Sequence, residues 1–257
     1  MHEPKTRIPP IRLHLDGADA DASADHRTLQ ARFAALVVAF DGSSRPHIDS
    51  DGTTRLMAIA GDFLPAMQSL DAQYGADGEL PIDDIGEAVD EALRALAELD
   101  VLLDRGEISA QRENLHALQI GIGYWAMRHH IPMYATEPVV NALAAQANRA
   151  TTRQDAAAVY ALMQGFVQHF APQLQADLER SNPERPWRLL NLNFAIASIR
   201  TGDAAMMRFA FDTLNRHLPN ECAGFYEEAS ALAAQPGFPL ETRGMIEAEC
   251  AKWAKSH

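Results

Sequence analysis

Few residues in this chain have both the side-chain type and the spacing that metal binding or catalysis requires. The adjacent histidines His129 and His130 are the first candidates for a metal site. Neighbours on a helix point about 100 degrees apart, so the two rings cannot both face one ion. We expect both to lie exposed at a helix end, where the helix dipole stabilises positive charge. No metal site is predicted from them.

A partial calcium-loop pattern occurs between Gln73 and Asp84. The run Asp77-Gly78-Glu79-Leu80, followed by Asp84, has the order of glycine, aliphatic residue and acid found in an EF-hand loop. Its first two ligand positions would be Gln73 and Gly75, and glycine offers no side-chain oxygen. The terminal aspartate is also shorter than the usual bidentate glutamate. We therefore predict no calcium site and no cofactor.

Motifs of the common enzyme classes are missing from the sequence. Neither Cys222 nor Cys250 has a convincing base near it in sequence, and no G-x-S-x-G elbow or phosphate loop occurs. The segment Gly121-Ile122-Gly123 lacks the third glycine and the preceding strand of a dinucleotide loop, so it indicates close approach of two helices. The prediction is a protein without enzymatic activity. Two cysteines exclude a disulfide framework and leave one optional bridge open.

Charge and hydropathy restrict the partners and the compartment. The chain has 257 residues, 35 of them acidic and 22 basic, for a net charge of −13. Such a field repels phosphate backbones, so nucleic acid is excluded as a partner. No apolar run reaches the roughly 18 residues needed to cross a bilayer, and residues 1–25 lack the apolar core of a signal peptide. We expect a soluble cytoplasmic protein, or a periplasmic one if a signal peptide has been removed.

The elements that would position these residues are helices. Residues 1–27 are rich in proline, aspartate and alanine and predict an irregular arm, followed by a single all-α domain over residues 28–257. Pro65 and Pro172 are expected to kink or break their helices, and Gly106 is expected to end its helix in the left-handed conformation. Apolar residues recur every three to four positions, as in helices, over about 29–40, 56–70, 82–105, 109–129, 136 onward, 152–170, 187–197, 207–218, 221–233 and 240–254.

Two short signals define local structure within this pattern. Thr152 and Asp155 resemble a capping box at the start of a helix. The stripes beginning at Trp187 and ending at Leu218 are separated only by Thr201-Gly202-Asp203, which forces an antiparallel helical hairpin. Strand patterns are missing and β-branched residues are scarce. The predicted fold is all-α, either a multi-helix bundle or a short α-solenoid of antiparallel hairpins.

Residues 189–221 resemble a tetratricopeptide repeat. Ala195, Phe211 and Pro219 match the small, aromatic and proline positions of that family, whereas Met207 and Ser198 depart from its small residue and its tyrosine. A half repeat is also present, at Ala117, Ile120, Gly121 and Tyr124. The resemblance implies stacked helical hairpins with a concave surface that binds a protein or peptide partner.

Two functions from different classes follow from this reading, and both leave the oligomeric state open. In the first, the chain binds a protein or peptide partner in a groove lined by Asn191, Asn193 and Arg200 on the first helix of the repeat. In the second, it carries a lipid or sterol-like hydrophobic molecule in an apolar cavity between helices. The residues predicted to line that cavity are Tyr124, Trp125, Met127, Met133, Tyr134, Tyr160, Met163, Phe166 and Phe170.

Overall fold

The structure is a computed structural model that describes residues 22–42, 50–80, 84–105, 107–174, 185–234 and 239–254. Over these residues it contains ten α-helices and no strand, which confirms the predicted all-α fold. The helices are α1 (Ala22–Asp41), α2 (Ser50–Tyr74), α3 (Ile85–Arg105), α4 (Arg112–Arg128), α5 (Glu137–Arg149), α6 (Arg153–Leu174), α7 (Pro186–Thr201), α8 (Ala204–His217), α9 (Cys222–Ala233) and α10 (Leu240–Trp253).

The chain divides into two compact units, Met1–Leu143 and Ala144–His257, where the sequence predicted one domain from residue 28. The arm was predicted to extend to residue 27, but α1 already begins at Ala22, and residues 1–21 lie outside the described part of the chain. The apolar periodicity on which the prediction was based begins only at Leu29, so it did not include the first residues of α1.

In the first unit, α1 and α3 each pack against both α2 and α4. Glycines permit the close contacts of α1 with its neighbours. A Cβ atom on Gly121 of α4 would lie 2.6 Å from Leu29 of α1, and one on Gly61 of α2 would lie 2.8 Å from Phe33 of α1. The close helix approach predicted for Gly121 is therefore confirmed. Every residue of α4 from Leu115 to Met127 is buried.

In the second unit, α7 packs between α6 and α8, and α10 packs against α9 and α8. The ring of Tyr160 from α6 stacks on Phe194 of α7 at 4.7 Å between centroids. The capping box predicted for α6 is present, since the Thr152 amide donates to the Asp155 carboxylate and the Asp155 amide donates to the Thr152 hydroxyl, both at 3.1 Å. These two bonds satisfy free amides of the first turn.

Of the two outcomes predicted for the prolines inside helices, a kink or a break, the break does not occur. α2 continues through Pro65 to Tyr74 as one helix, and α6 continues through Pro172 to Leu174. Proline removes one hydrogen bond of the helical ladder. Around Pro65 the burial of Phe63, Leu64 and Met67 supplies packing that holds the helix together.

Glu107, which follows the end of α3, has a left-handed backbone conformation. Its φ is 54°, its amide donates to the Asp104 carbonyl at 3.2 Å, and the Ile108 amide donates to the Leu103 carbonyl at 3.0 Å. This is the Schellman pattern, in which the residue at C′ adopts the left-handed conformation. Gly106 lies outside the described residues.

We expect Glu107→Gly to be more stable than Glu107→Ala by about 0.5–1 kcal/mol, because a residue with a Cβ is strained at positive φ and glycine is not. Urea unfolding monitored by circular dichroism would measure the difference. Glu107→Ala is the matched control, since it removes the same carboxylate but keeps the Cβ. Equal stability of the glycine and alanine variants would contradict the prediction.

Candidate functional site

α7 begins and ends at residues of the types expected in a helical hairpin. It begins at Pro186 in the first turn and ends at Gly202, whose φ of 65° places it in the left-handed region. Asp203 then caps α8 by accepting hydrogen bonds from the amides of Ala205 and Met206, both at 2.9 Å. The predicted hairpin is therefore confirmed for α7 and α8, which pack against each other.

One side of α7 is half-buried, whereas the rest of the helix is almost wholly buried. The buried residues include Trp187, Leu190 and Phe194. Positions three, four and seven apart lie on one side of a helix. Five of the seven half-buried residues of α7 have that spacing; the other two, Pro186 and Arg188, lie in the first turn. We call the five the α7 face: Leu189, Leu192, Asn193, Ile196 and Arg200.

The three predicted groove residues are placed differently from one another. Asn193 and Arg200 belong to the α7 face, where the Asn193 amide donates to the Leu189 carbonyl at 2.8 Å and the Arg200 guanidinium donates to the Ala147 carbonyl. Asn191 is fully buried, and its amide donates to the Trp187 carbonyl at 2.8 Å. In this conformation Asn191 cannot contact a partner, so the groove as predicted loses one of its three residues.

The burial of Asn191 is explained by its second partner. Its side-chain oxygen lies 3.0 Å from Nδ1 of His217, whose ring packs against Trp187 at 4.8 Å. Burial, together with the charge of Arg216, lowers the pKa of His217 below its ordinary value. The ring is therefore neutral at pH 7, and Nδ1 donates its proton to Asn191. The pair fixes the start of α7 to the end of α8.

The hairpin of α7 and α8 differs in charge from the rest of the chain. Residues 186–218 contain four arginines, two aspartates and no lysine or glutamate, a net charge of +2. The other residues therefore carry −15, because the whole chain carries −13. α7 itself contains Arg188 and Arg200 and no acidic residue. Arg188 forms an ion pair with Glu221 at 2.9 Å.

The residues predicted to line an apolar cavity lie in both units and are mainly core residues. Tyr134 is the exception, because 77% of it is exposed. Trp125 packs edge-on against Phe63 at 5.7 Å, and Phe166 lies 5.4 Å from Phe170. Packed side chains of this kind fill the interior at normal density. The buried members are Tyr124, Trp125, Met127 and Met133 in the first unit and Tyr160, Met163, Phe166 and Phe170 in the second.

A buried polar cluster in the first unit was missed by the sequence analysis. We call it the Asp71 cluster: Asp71 on α2, His26 on α1, and Trp125 and His129 at the end of α4 and just after it. The Asp71 carboxylate lies 2.7 Å from His129 Nε2, 2.7 Å from Trp125 Nε1 and 2.9 Å from His26 Nε2. The prediction that His129 is exposed is wrong, since only 4% of the residue is exposed; His130 is exposed as predicted.

The Asp71 cluster has the composition of an acid–base site but not its accessibility. A catalytic histidine needs one ring nitrogen free to exchange a proton with substrate. In His129, Nε2 lies against Asp71 and Nδ1 lies 2.7 Å from the Gly78 carbonyl. Both nitrogens of His129 are occupied and its ring is buried. The hydrogen bonds of the Asp71 cluster therefore hold the helices together.

The calcium-loop pattern also has a structural explanation. Asp77, its central acid, is ion-paired with Arg128 at 2.9 Å. Within the described ranges, no group of three or more His, Cys, Asp or Glu side chains has an arrangement that could hold a metal ion.

Cys222 and Cys250 do not form a disulfide, so the optional bridge that the sequence left open is not present. Burial, with the nearby charge of Glu249, raises the pKa of Cys222 to about 12. A thiol with this pKa is not ionised at neutral pH. Its sulfur lies 3.3 Å from the Leu218 carbonyl.

A scan against protein-family models finds no match, and searches of curated proteins and of solved structures likewise return no significant similarity. In the part of the chain that the structure describes, no helix is both long and apolar enough to span a membrane. The fold and the sites together define the class: an all-α protein with a buried polar cluster in one unit and a half-buried helix face in the other.

Proposed function

We propose that the chain binds a protein or peptide partner, and that the partner contacts the α7 face. The observation that carries this proposal is the composition of that face. Leu189, Leu192 and Ile196 offer apolar surface, and Asn193 and Arg200 lie beside them. Apolar contact area combined with a few polar groups is the ordinary composition of a peptide-binding surface.

The charge of the hairpin also supports a partner at this surface. An acidic chain that placed its acidic residues evenly would repel acidic segments everywhere. Residues 186–218 depart from that pattern with a net charge of +2. Attraction of unlike charge raises association rates and favours correct orientation.

Selection from a displayed peptide library tests the proposal. We expect selected peptides to bind the wild-type chain and to lose at least about tenfold in affinity for Leu192→Asp and for Ile196→Asp, because each change places a charge among apolar contacts. Isothermal titration calorimetry would give the dissociation constants. Circular dichroism of each variant would show that the helices are retained.

Leu240→Asp is the matched control, because Leu240 is also an apolar helix residue and 84% of it is exposed. This variant should bind the selected peptides as the wild type does. Peptides that bind Leu192→Asp and Ile196→Asp with unchanged affinity would refute the assignment to the α7 face. Failure to select any peptide would refute peptide binding itself.

A further inference from the structure

The two arginines of α7 have different surroundings. Arg188, in the first turn, forms an ion pair with Glu221 at 2.9 Å. Arg200, in the last turn, has no carboxylate partner within the described part of the chain, and its Nη1 donates to the Ala147 carbonyl in the last turn of α5. That bond fixes the guanidinium and uses one of its five N–H donors. The positive charge of Arg200 is therefore positioned but not neutralised.

A second arginine lies over the same end of α7. The Cζ atom of Arg153, at the start of α6, lies 3.5 Å from the position that a Cβ atom would occupy on Gly202, which ends α7. Arg153 is exposed and, like Arg200, forms no ion pair with a described acidic residue. The acids next to it in sequence and after Gly202, Asp155 and Asp203, accept hydrogen bonds from backbone amides at helix starts instead. We call Arg153 and Arg200 the arginine pair.

The arginine pair lies at one end of the α7 face. Because each residue of a helix advances 1.5 Å, Arg200 lies about 6 Å beyond Ile196 and about 17 Å beyond Leu189 along the axis. The apolar residues of the face therefore come first and the positive charge comes last. A guanidinium can bind a carboxylate through two parallel hydrogen bonds, which makes arginine a preferred partner of carboxylates. A ligand that fits this order has apolar groups along one side and carboxylates at one end.

We propose that the partner of the α7 face is an acidic amphipathic peptide segment. Its apolar side chains contact Leu189, Leu192 and Ile196, and its glutamate or aspartate carboxylates bind the arginine pair. This inference rests on the proposed function, since it names the chemistry of the partner of that same surface. The complementary charge of the arginine pair is what identifies the occupant.

The charge of the whole chain separates a short acidic segment from a long polyanion. A nucleic acid would carry its phosphates past a chain whose net charge is −13, and that field repels it. A peptide that covers only the α7 face remains beside residues 186–218, whose net charge is +2. The attraction is therefore local, and it orients the acidic end of the peptide toward the end of α7.

Selected peptides test the inference through their sequences and their affinities. From a displayed library of peptides of about 15 residues, long enough to span the face as a helix, we expect sequences with apolar residues three or four positions apart and acidic residues at one end. Isothermal titration calorimetry should show that Arg200→Gln binds them about five- to tenfold more weakly than the wild type. Arg153→Gln should bind about two- to fivefold more weakly, because the side chain is exposed.

Changing the peptide should reproduce these losses. Glutamine in place of the acidic residues of a selected peptide should weaken its binding to the wild-type chain by a similar factor. The same peptide should lose little further affinity for Arg200→Gln, because both changes remove one interaction. Arg200→Lys keeps the charge but not the paired hydrogen bonds, so it should retain part of the affinity.

Arg216→Gln is the matched control. Arg216 is exposed in the last turn of α8, and the adjacent His217 packs against Trp187 at the start of α7. The variant therefore removes the same charge from the opposite end of the hairpin, and it should bind the peptides within about twofold of the wild type. Circular dichroism would show that each variant is folded. If Arg200→Gln does not fold, Arg153→Gln and the glutamine peptides still decide.

Several outcomes would overturn the inference. Peptides that need Leu192 and Ile196 but bind both arginine variants as tightly as the wild type would do so and leave the proposed function intact. Equal losses for Arg200→Gln and Arg216→Gln would assign the effect to net charge. A dimer in sedimentation that Ile196→Asp disperses would give the face to a second copy of the chain. Peptides indifferent to Leu192→Asp and Ile196→Asp would instead refute the proposed function itself.

Discussion

Asp71→Ala is expected to lower the free energy of unfolding of the first unit by about 3–5 kcal/mol. The substitution leaves three donors, on His26, Trp125 and His129, without their shared acceptor. The side chain of His129 is completely buried, so water cannot replace the carboxylate there. A buried donor that loses its acceptor costs about 1–3 kcal/mol, and this one carboxylate serves all three donors. Urea unfolding followed by Trp125 fluorescence would measure the loss.

Asp62→Ala is the matched control for this measurement. Asp62 lies on the same helix, α2, but its side chain is exposed, so its removal should change stability by no more than about 0.5 kcal/mol. A loss for Asp71→Ala as small as that of Asp62→Ala would show that the Asp71 cluster does not hold the helices together.

Acid should remove the same contribution in the wild-type protein. The pKa of Asp71 in the folded chain lies below its ordinary value of 3.8, so the unfolded state takes up a proton first. The stabilisation is therefore fully present above the unfolded pKa and is lost as the pH falls below about 4. Asp71→Asn should lack this part of the acid dependence. Identical acid dependence of the two proteins would contradict the assignment.

Asn215→Ala is expected to lower the free energy of unfolding of the second unit by about 2–4 kcal/mol. The Asn215 oxygen accepts hydrogen bonds from the Tyr226 hydroxyl at 3.0 Å and from the Trp253 indole at 3.1 Å. Its amide donates to Glu249 at 2.9 Å. One side chain of α8 thus connects α9 and α10, and alanine would leave the fully buried Tyr226 hydroxyl without an acceptor. Chemical denaturation followed by near-ultraviolet circular dichroism would measure the effect.

Asn220→Ala provides the comparison, because Asn220 is an exposed asparagine five residues further along the chain. Its removal should leave the stability almost unchanged. If Asn215→Ala and Asn220→Ala lose equal amounts, the hydrogen bonds of Asn215 do not stabilise the second unit.

Helices were predictable here because their apolar spacing is a local property of the sequence. The predicted segment 82–105 corresponds to α3 at Ile85–Arg105, and the predicted 240–254 to α10 at Leu240–Trp253. Short-range signals were equally informative, as the capping box of Thr152 and Asp155 shows. In each case the deciding interaction joins residues within one or two helical turns of each other.

The Asp71 cluster could not be predicted in the same way. Asp71 is separated from His26 by 45 residues and from His129 by 58, so no local spacing connects them. His129 lies at a helix end, where a histidine satisfied by the dipole and one satisfied by a distant carboxylate have the same sequence context. The buried asparagine Asn191 was mistaken for a surface residue for a related reason, because its partner His217 lies on another helix.

The complete burial of α4 from Leu115 to Met127 limits how the chain can change over time. Most helices in proteins have an exposed side on which substitutions accumulate at little cost. Over these thirteen consecutive positions α4 has no such side, so each substitution must fit the surrounding side chains in volume and polarity. An insertion or deletion there would turn Trp125 by about 100 degrees away from Asp71. The length of α4 is thereby constrained as strictly as its composition.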